Sequence, residues 1–242
     1  SEGTERGIMV YGDKSFDVLS VFLGAAYAGL FYSLMSTELP ASRLRQSAEV
    51  LGVGTVVADG EHLDAAREIF EGKRIIASNE LCGNDAYDSL LAKAAARLID
   101  TDPLYINFTS GSTGTPKGIA VCHRSVVDFI ECFTDIFGIT SDDVIANQAP
   151  FDFDVSVKDI YSSLKTGAEL SIVPRELFSQ PAALLDWLCD HGTTTMIWAV
   201  SALCLISTFH GLDYKVPEKV NKILFSGEVM PYKHFKSWKN HL

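Results

Sequence analysis

Residues 104–122 read LYINFTSGSTGTPKGIAVC: an apolar run, a loop of glycines and hydroxyl residues, and a second β-branched run. β-Branched and aromatic residues favour strands, so the two runs are expected as strands and Thr109–Gly118 as the connection between them. Glycine lets backbone N–H groups approach an anion closely, and the hydroxyls of Thr109, Ser110, Ser112 and Thr113 add donors. Lys117 adds a mobile positive charge. Such a loop suits a polyphosphate, although its composition alone also describes an ordinary surface hairpin.

Spacing excludes two familiar phosphate loops. A P-loop needs Gly-Lys-Ser/Thr in succession, whereas Pro116 precedes and Gly118 follows Lys117 here. The glycine spacing also differs from the dinucleotide fingerprint GxGxxG. Lys117 is therefore expected in a turn that joins two strands, not at the start of a helix.

Bulk properties narrow the partners. The chain has 242 residues, 47% of them hydrophobic, and a formal net charge of −11. Nucleic acid and anionic membranes both require a basic face, so neither is expected as a partner. The odd count of 5 cysteines contains no CxxC pair, and Cys122 beside His123 lacks further ligands at metal-site spacing. No protein-held metal is expected, and the thiols read as buried and free in a reducing cytoplasm. The uncharged run Val18–Thr37 is long enough to span a bilayer, but Ser20, Tyr27, Ser33 and Ser36 interrupt it and Gly29 divides it into a helix and a strand. No membrane span and no secretory signal are expected.

Along the chain, strand-like runs at Ile8–Val10, Thr55–Ala58, Arg74–Ala77 and Leu104–Phe108 alternate with amphipathic segments at Asp64–Phe70 and Ser89–Leu98. The alternation continues with helices near Ser125–Phe137, Val155–Lys165, Ala182–Cys189 and Ser201–Phe209. Strands are expected near Val144–Ala149, Glu169–Val173, Thr195–Trp198 and Lys222–Phe225. This pattern predicts an α/β fold of layered parallel sheets with helices on both faces. The weakly patterned stretch Glu71–Thr101 is expected to connect two halves, residues 1–100 and 101–242.

YINFTSGSTGTPKGIAVCH resembles the signature loop of the adenylate-forming superfamily, which includes acyl-CoA synthetases, luciferases and amino-acid adenylation domains. The match includes ten contiguous residues. The resemblance implies a truncated N-terminal large domain of such an enzyme, lacking its first turns, the small C-terminal domain and the catalytic lysine carried there. It further implies ATP as substrate, with Mg²⁺ bridging phosphate oxygens. Thr109, Ser110, Gly111, Ser112, Thr113, Gly114 and Lys117 would contact the nucleotide, with Lys117 and Thr109 acting catalytically.

Two further segments carry the resemblance. APFDFDVSVKDIY, residues 149–161, is similar to the segment in which an aromatic-Asp-x-Ser motif opens a helix. In amino-acid-activating members its aspartate holds the substrate α-ammonium, a role the resemblance assigns to Asp154. A fixed carboxylate in an apolar pocket favours an ammonium over any neutral tail. An N-cap role for Asp154 remains an alternative, and so does Asp152 as the relevant acid of FDFD. KILFSGEVMP, residues 222–231, resembles the strand and glycine turn that border adenine, which adds Gly227 and Glu228 to the nucleotide contacts. By position, Val155, Lys158, Trp198, Leu224 and Ser226 would line the amino-acid pocket, with Trp198 narrowing it. A solvated surface role for Lys158 remains open, as does a structural one for His123.

The implied reaction forms an aminoacyl-adenylate and passes the acyl group to the pantetheine thiol of a carrier protein. FDVSVKDIY with Asp159 and Tyr161 leans to the D-alanine–carrier protein ligase type over nonribosomal peptide synthetase adenylation domains. D-Alanine is thus one candidate substrate. The rivals are an acyl-CoA or aryl-acid ligase and a non-catalytic nucleotide- or partner-binding module. The fragment alone is expected to be inactive.

Overall fold

Every residue of Gly7–Tyr11 is buried, as befits a central parallel strand with helices on both faces. This strand, β1, lies in a computed structural model that describes residues 6–81, 88–109 and 116–242. The chain divides into two compact units, Ser1–Val127 and Asp128–Leu242.

In the first unit β1 is joined by β2 (Phe31–Met35), β3 (Thr55–Ala58), β4 (Arg74–Ala77), β5 (Pro103–Thr109) and β6 (Lys117–Cys122). The sheet order is β4-β3-β1-β2-β5-β6. All neighbours run parallel except β6, which returns antiparallel along β5. Helix α1 (Phe16–Tyr27) starts where Ser15 accepts a hydrogen bond from the Val18 amide. Gly29, at φ +72°, turns the chain into β2, so the uncharged run is a helix and a strand. No helix among the described residues is long and apolar enough to cross a membrane.

The two faces of this sheet are covered by different helices. Helix α2 (Ala41–Leu51) and α3 (Leu63–Ile69) pack Leu44, Ala48 and Ala66 against Met9, Tyr11, Met35 and Val56. On the opposite face Phe22 of α1 stacks on Tyr32 with ring centroids 4.1 Å apart. The short helices α4 (Ser78–Leu81) and α5 (Asp88–Ala95) contact α1. Each fully buried Met, Leu or Phe contributes about 1.5–3 kcal/mol, which binds these layers together.

The boundary expected near residue 100 falls instead after Val127. The reason is the β5–β6 hairpin: Tyr105 pairs with Tyr32 of β2, and β6 then pairs along β5 from Cys122 to Lys117. Both strands therefore complete the first sheet. The division falls inside α6 (His123–Phe137).

The second unit holds β7 (Val144–Asn147), β8 (Glu169–Ile172), β9 (Thr195–Ala199) and β10 (Lys222–Ser226), all parallel in the order β10-β9-β7-β8. One face carries Ile145, Ile197 and Leu224, which pack with Phe133 of α6. Helix α7 (Ser156–Thr166) joins this face, where Asn147 Nδ2 donates to buried Asp159 at 2.6 Å. The other face carries Ala146, Met196 and Trp198 beneath α8 (Pro181–Asp190), α9 (Val200–Thr208), α10 (Gly211–Tyr214) and α11 (Tyr232–His241).

At the N-terminal edge of this sheet Asp143 is 3% exposed. Its carboxylate accepts from Lys222 Nζ at 2.8 Å, Thr194 Oγ1 at 2.7 Å, Thr195 Oγ1 at 3.0 Å and the Thr140 amide at 2.9 Å. Burial alone would raise this carboxyl; the four donors outweigh it and hold the pKa down to about 2. The knot ties β9 and β10 to the residue preceding β7.

The cysteines depart from expectation. Among the described residues Cys122, Cys132, Cys189 and Cys204 are free, but Cys132 is exposed and the other three are only half-buried, while Cys82 lies outside the described residues.

Candidate functional site

The β5–β6 ladder ends with Thr109 opposite Lys117, so the two candidate catalytic residues face each other across the mouth of the hairpin. Both are exposed. The Lys117 ammonium makes no hydrogen bond or ion pair among the described residues and is available to an anion. Ser110, Gly111, Ser112, Thr113 and Gly114 lie outside the described residues. Gly118 has a packing reason to be glycine: an added Cβ would sit 2.9 Å from Ile106 Cγ2. His123 follows β6 at its far end, about 20 Å along the strand from Lys117. Its Nε2 is buried without a hydrogen-bond partner among the described residues, and burial lowers its pKa despite nearby Asp102, so the ring stays neutral.

In the second unit the candidates gather at the carboxyl edge of the sheet. Chain connections leave β7 toward β8 on one side, while β9 and β10 lie on the other. Parallel sheets form a crevice at such a switch point, beyond the carboxyl ends of the strands. Gln148, directly after β7, spans the point: its Oε1 accepts from the Ala199 amide at the end of β9, at 3.2 Å. Sequence reading missed Gln148, whose only signal is a polar pair, Asn147-Gln148, closing an apolar strand.

Asp154 lies on the loop from β7 to α7. Val155, half-buried, takes the N-cap position of α7, where no side chain caps the helix. Instead Ser156 Oγ donates to the Phe153 carbonyl at 2.7 Å, and the Val157 amide to the Asp154 carbonyl at 3.2 Å. Asp154 is exposed, and its carboxylate makes no hydrogen bond or ion pair among the described residues. The capping alternative for Asp154 therefore fails. Lys158, in the first turn of α7, donates to Ser226 Oγ at the end of β10, at 3.3 Å. Gly227 follows at φ +89°, a left-handed turn that favours glycine, and exposes Glu228.

Trp198 does not join this group. Opposite residues in a parallel ladder share a face, and Trp198 pairs with Phe225, not with Leu224 or Ser226. Its indole is 1% exposed beneath α8 and α9, donates to the Ala146 carbonyl at 2.8 Å and meets Phe178 edge-on. Leu224 lies on the opposite face with Ile145 and Ile197. The structure thus brings together Lys158, Ser226 and the turn at Gly227, with Leu224 on the same side of the sheet, and sets Trp198 in the core behind them.

Comparison with known proteins agrees with this architecture. A D-alanine–D-alanyl carrier protein ligase of Bacillus cytotoxicus is 31% identical over 231 residues, covering 93% of this chain and 44% of the relative. An L-proline–L-prolyl-carrier protein ligase of Pseudomonas fluorescens is 27% identical over 241 residues, covering 97% and 48%. The chain thus spans less than half the length of these relatives. A holo four-domain nonribosomal peptide synthetase, solved with AMP and glycine, superposes with a TM-score of 0.82 at 17% identity over 99% of this chain and 17% of its own, a likeness of fold. The AMP-binding enzyme family matches residues 2–242, and the chain belongs to it.

Proposed function

We propose that the protein carrying this sequence activates an amino acid with ATP and passes it to a carrier-protein thiol. The observation that carries the reading is Asp154: an exposed, uncapped carboxylate at the loop that enters α7, without a partner among the described residues. An α-ammonium would give it one. A fatty or aryl acid would offer it no opposite charge. The two carrier-protein ligases named above support the same class of substrate.

In the first half-reaction a carboxylate oxygen attacks the α-phosphorus, the bond to the β-phosphate oxygen breaks, and pyrophosphate leaves. Charge builds on the leaving group, so donors at the β- and γ-phosphates speed the step. Lys117 and the hydroxyl of Thr109, opposed at the hairpin mouth, are assigned that task together with Ser110, Ser112 and Thr113. Gly111 and Gly114 would let the backbone approach. A Mg²⁺ ion accompanying the triphosphate would be held chiefly by phosphate and water oxygens. Such an ion would neutralise phosphate charge.

On the substrate side Asp154 would hold the ammonium, while Lys158, Val155, Leu224 and Ser226 shape the side-chain pocket. Gly227 and Glu228 would border the nucleotide. In the second half-reaction a thiol sulfur attacks the acyl carbon, AMP departs with the bonding electrons, and the thiol proton is released. We place the protein in the cytoplasm, where ATP is at hand and its free thiols stay reduced.

Mass spectrometry of a phosphopantetheinylated carrier protein incubated with the full-length protein, ATP and an amino-acid panel tests this reading. Mass gain equal to one aminoacyl group is expected. Turnover with fatty or aryl acids alone would favour an acyl or aryl ligase, and ATP binding without turnover a non-catalytic module.

A further inference from the structure

Arg43 occupies the first turn of α2, where a cation opposes the helix dipole, and no acidic residue in that turn offsets it. Helix stability therefore gives no reason for the charge. Its target lies 66 positions away: the guanidinium donates to the Thr109 carbonyl at 3.2 Å, at the last residue of β5 before the phosphate loop. The topology creates this meeting. β2 and β5 are parallel neighbours, so the segment leaving β2 starts α2 beside the carboxyl end of β5, and α2 also packs on β6.

We propose that Arg43 is a positioning residue for Thr109. It fixes the Thr109 carbonyl, and so the strand end from which the Thr109 hydroxyl is presented to a triphosphate. A guanidinium suits the task because its rigid fork donates in a fixed direction and never loses its charge. The inference rests on the assignment of Thr109 and Lys117 to ATP, and it predicts an effect confined to that substrate.

The test is ATP–pyrophosphate exchange by the full-length protein with its best amino acid, comparing wild type, Arg43→Ala and Arg43→Lys. Arg43→Ala should raise the KM for ATP about tenfold, the scale of one lost charge-assisted hydrogen bond, and leave the KM for the amino acid and the melting temperature unchanged. Arg43→Lys, which keeps a charged donor, should recover at least half of that loss on a logarithmic scale. An unchanged ATP KM in Arg43→Ala overturns the assignment, as does an equal rise for both substrates. If Arg43→Ala does not fold, Arg43→Lys decides: kinetics near wild type support the role, and a rise in amino-acid KM overturns it. Absence of exchange in wild type would instead remove the functional reading itself.

Discussion

The Lys158 ammonium lies 3.3 Å from the Ser226 hydroxyl and joins the first turn of α7 to the end of β10 across 68 positions of sequence. A cation in a helix's first turn is disfavoured by the dipole, so its place is explained by what it reaches and not by the helix. The contact puts a charged donor on the face that carries Leu224, beside the loop bearing Asp154.

Lys158→Met is therefore expected to change which amino acid side chain is preferred and to leave the requirement for an α-ammonium intact. Stability should shift by no more than about 0.5 kcal/mol, because the lysine is only half-buried and its bond is exposed. Exchange rates across an amino-acid panel check this; an unaltered preference would discard the role of Lys158.

Trp198→Phe should act on stability instead. The change removes the indole donor to the buried Ala146 carbonyl and leaves a void beneath α8 and α9, a loss of about 2–4 kcal/mol. Urea unfolding should show the loss while the amino-acid preference stays that of wild type. A changed preference at unchanged stability would mean that the indole reaches the pocket.

Asp143 gives the protein an acid limit. Its pKa is about 2 when folded against 3.8 ordinarily, so the folded carboxyl binds its proton more weakly than the unfolded one. Its stabilisation, about 2 kcal/mol, is complete above roughly pH 5 and fades as pH falls through 4 toward 2. Asp143→Asn should lower stability at pH 7 and flatten the pH dependence between roughly 5 and 3, measured by urea midpoints. An identical slope in wild type and variant would place the acid sensitivity elsewhere.

Strand–helix alternation made most of the fold legible. Thr55–Ala58, fully buried, and Arg74–Ala77, the edge strand beside it, form strands over the residues that patterning assigned, because parallel strands read as short apolar runs bounded by turns. The same burial hides the facing of each side chain. With both faces of β9 covered, no alternation marks Trp198 as a core residue, and only its pairing with Phe225 does so. Helix α2 carried no clear signal: it starts after Pro40 without a side-chain cap and buries only Leu44, Ser47 and Ala48. Arg43 was therefore invisible as a neighbour of Thr109. The unit boundary was misplaced for a related reason, since pairing of β5 with β2 is a long-range fact that local composition does not encode. Asp154 was legible through its motif, and the structure adds that α7 does without it as a cap.

The most direct test is a paired measurement on the full-length protein: amino-acid-dependent ATP–pyrophosphate exchange and ATP affinity by calorimetry, in wild type and Asp154→Asn. Exposure of Asp154 means that the variant should fold as wild type does. The account predicts unchanged ATP affinity with exchange reduced at least about 100-fold, the scale of losing a paired charge. Full exchange in Asp154→Asn would contradict it, because some other group would then be holding the amine.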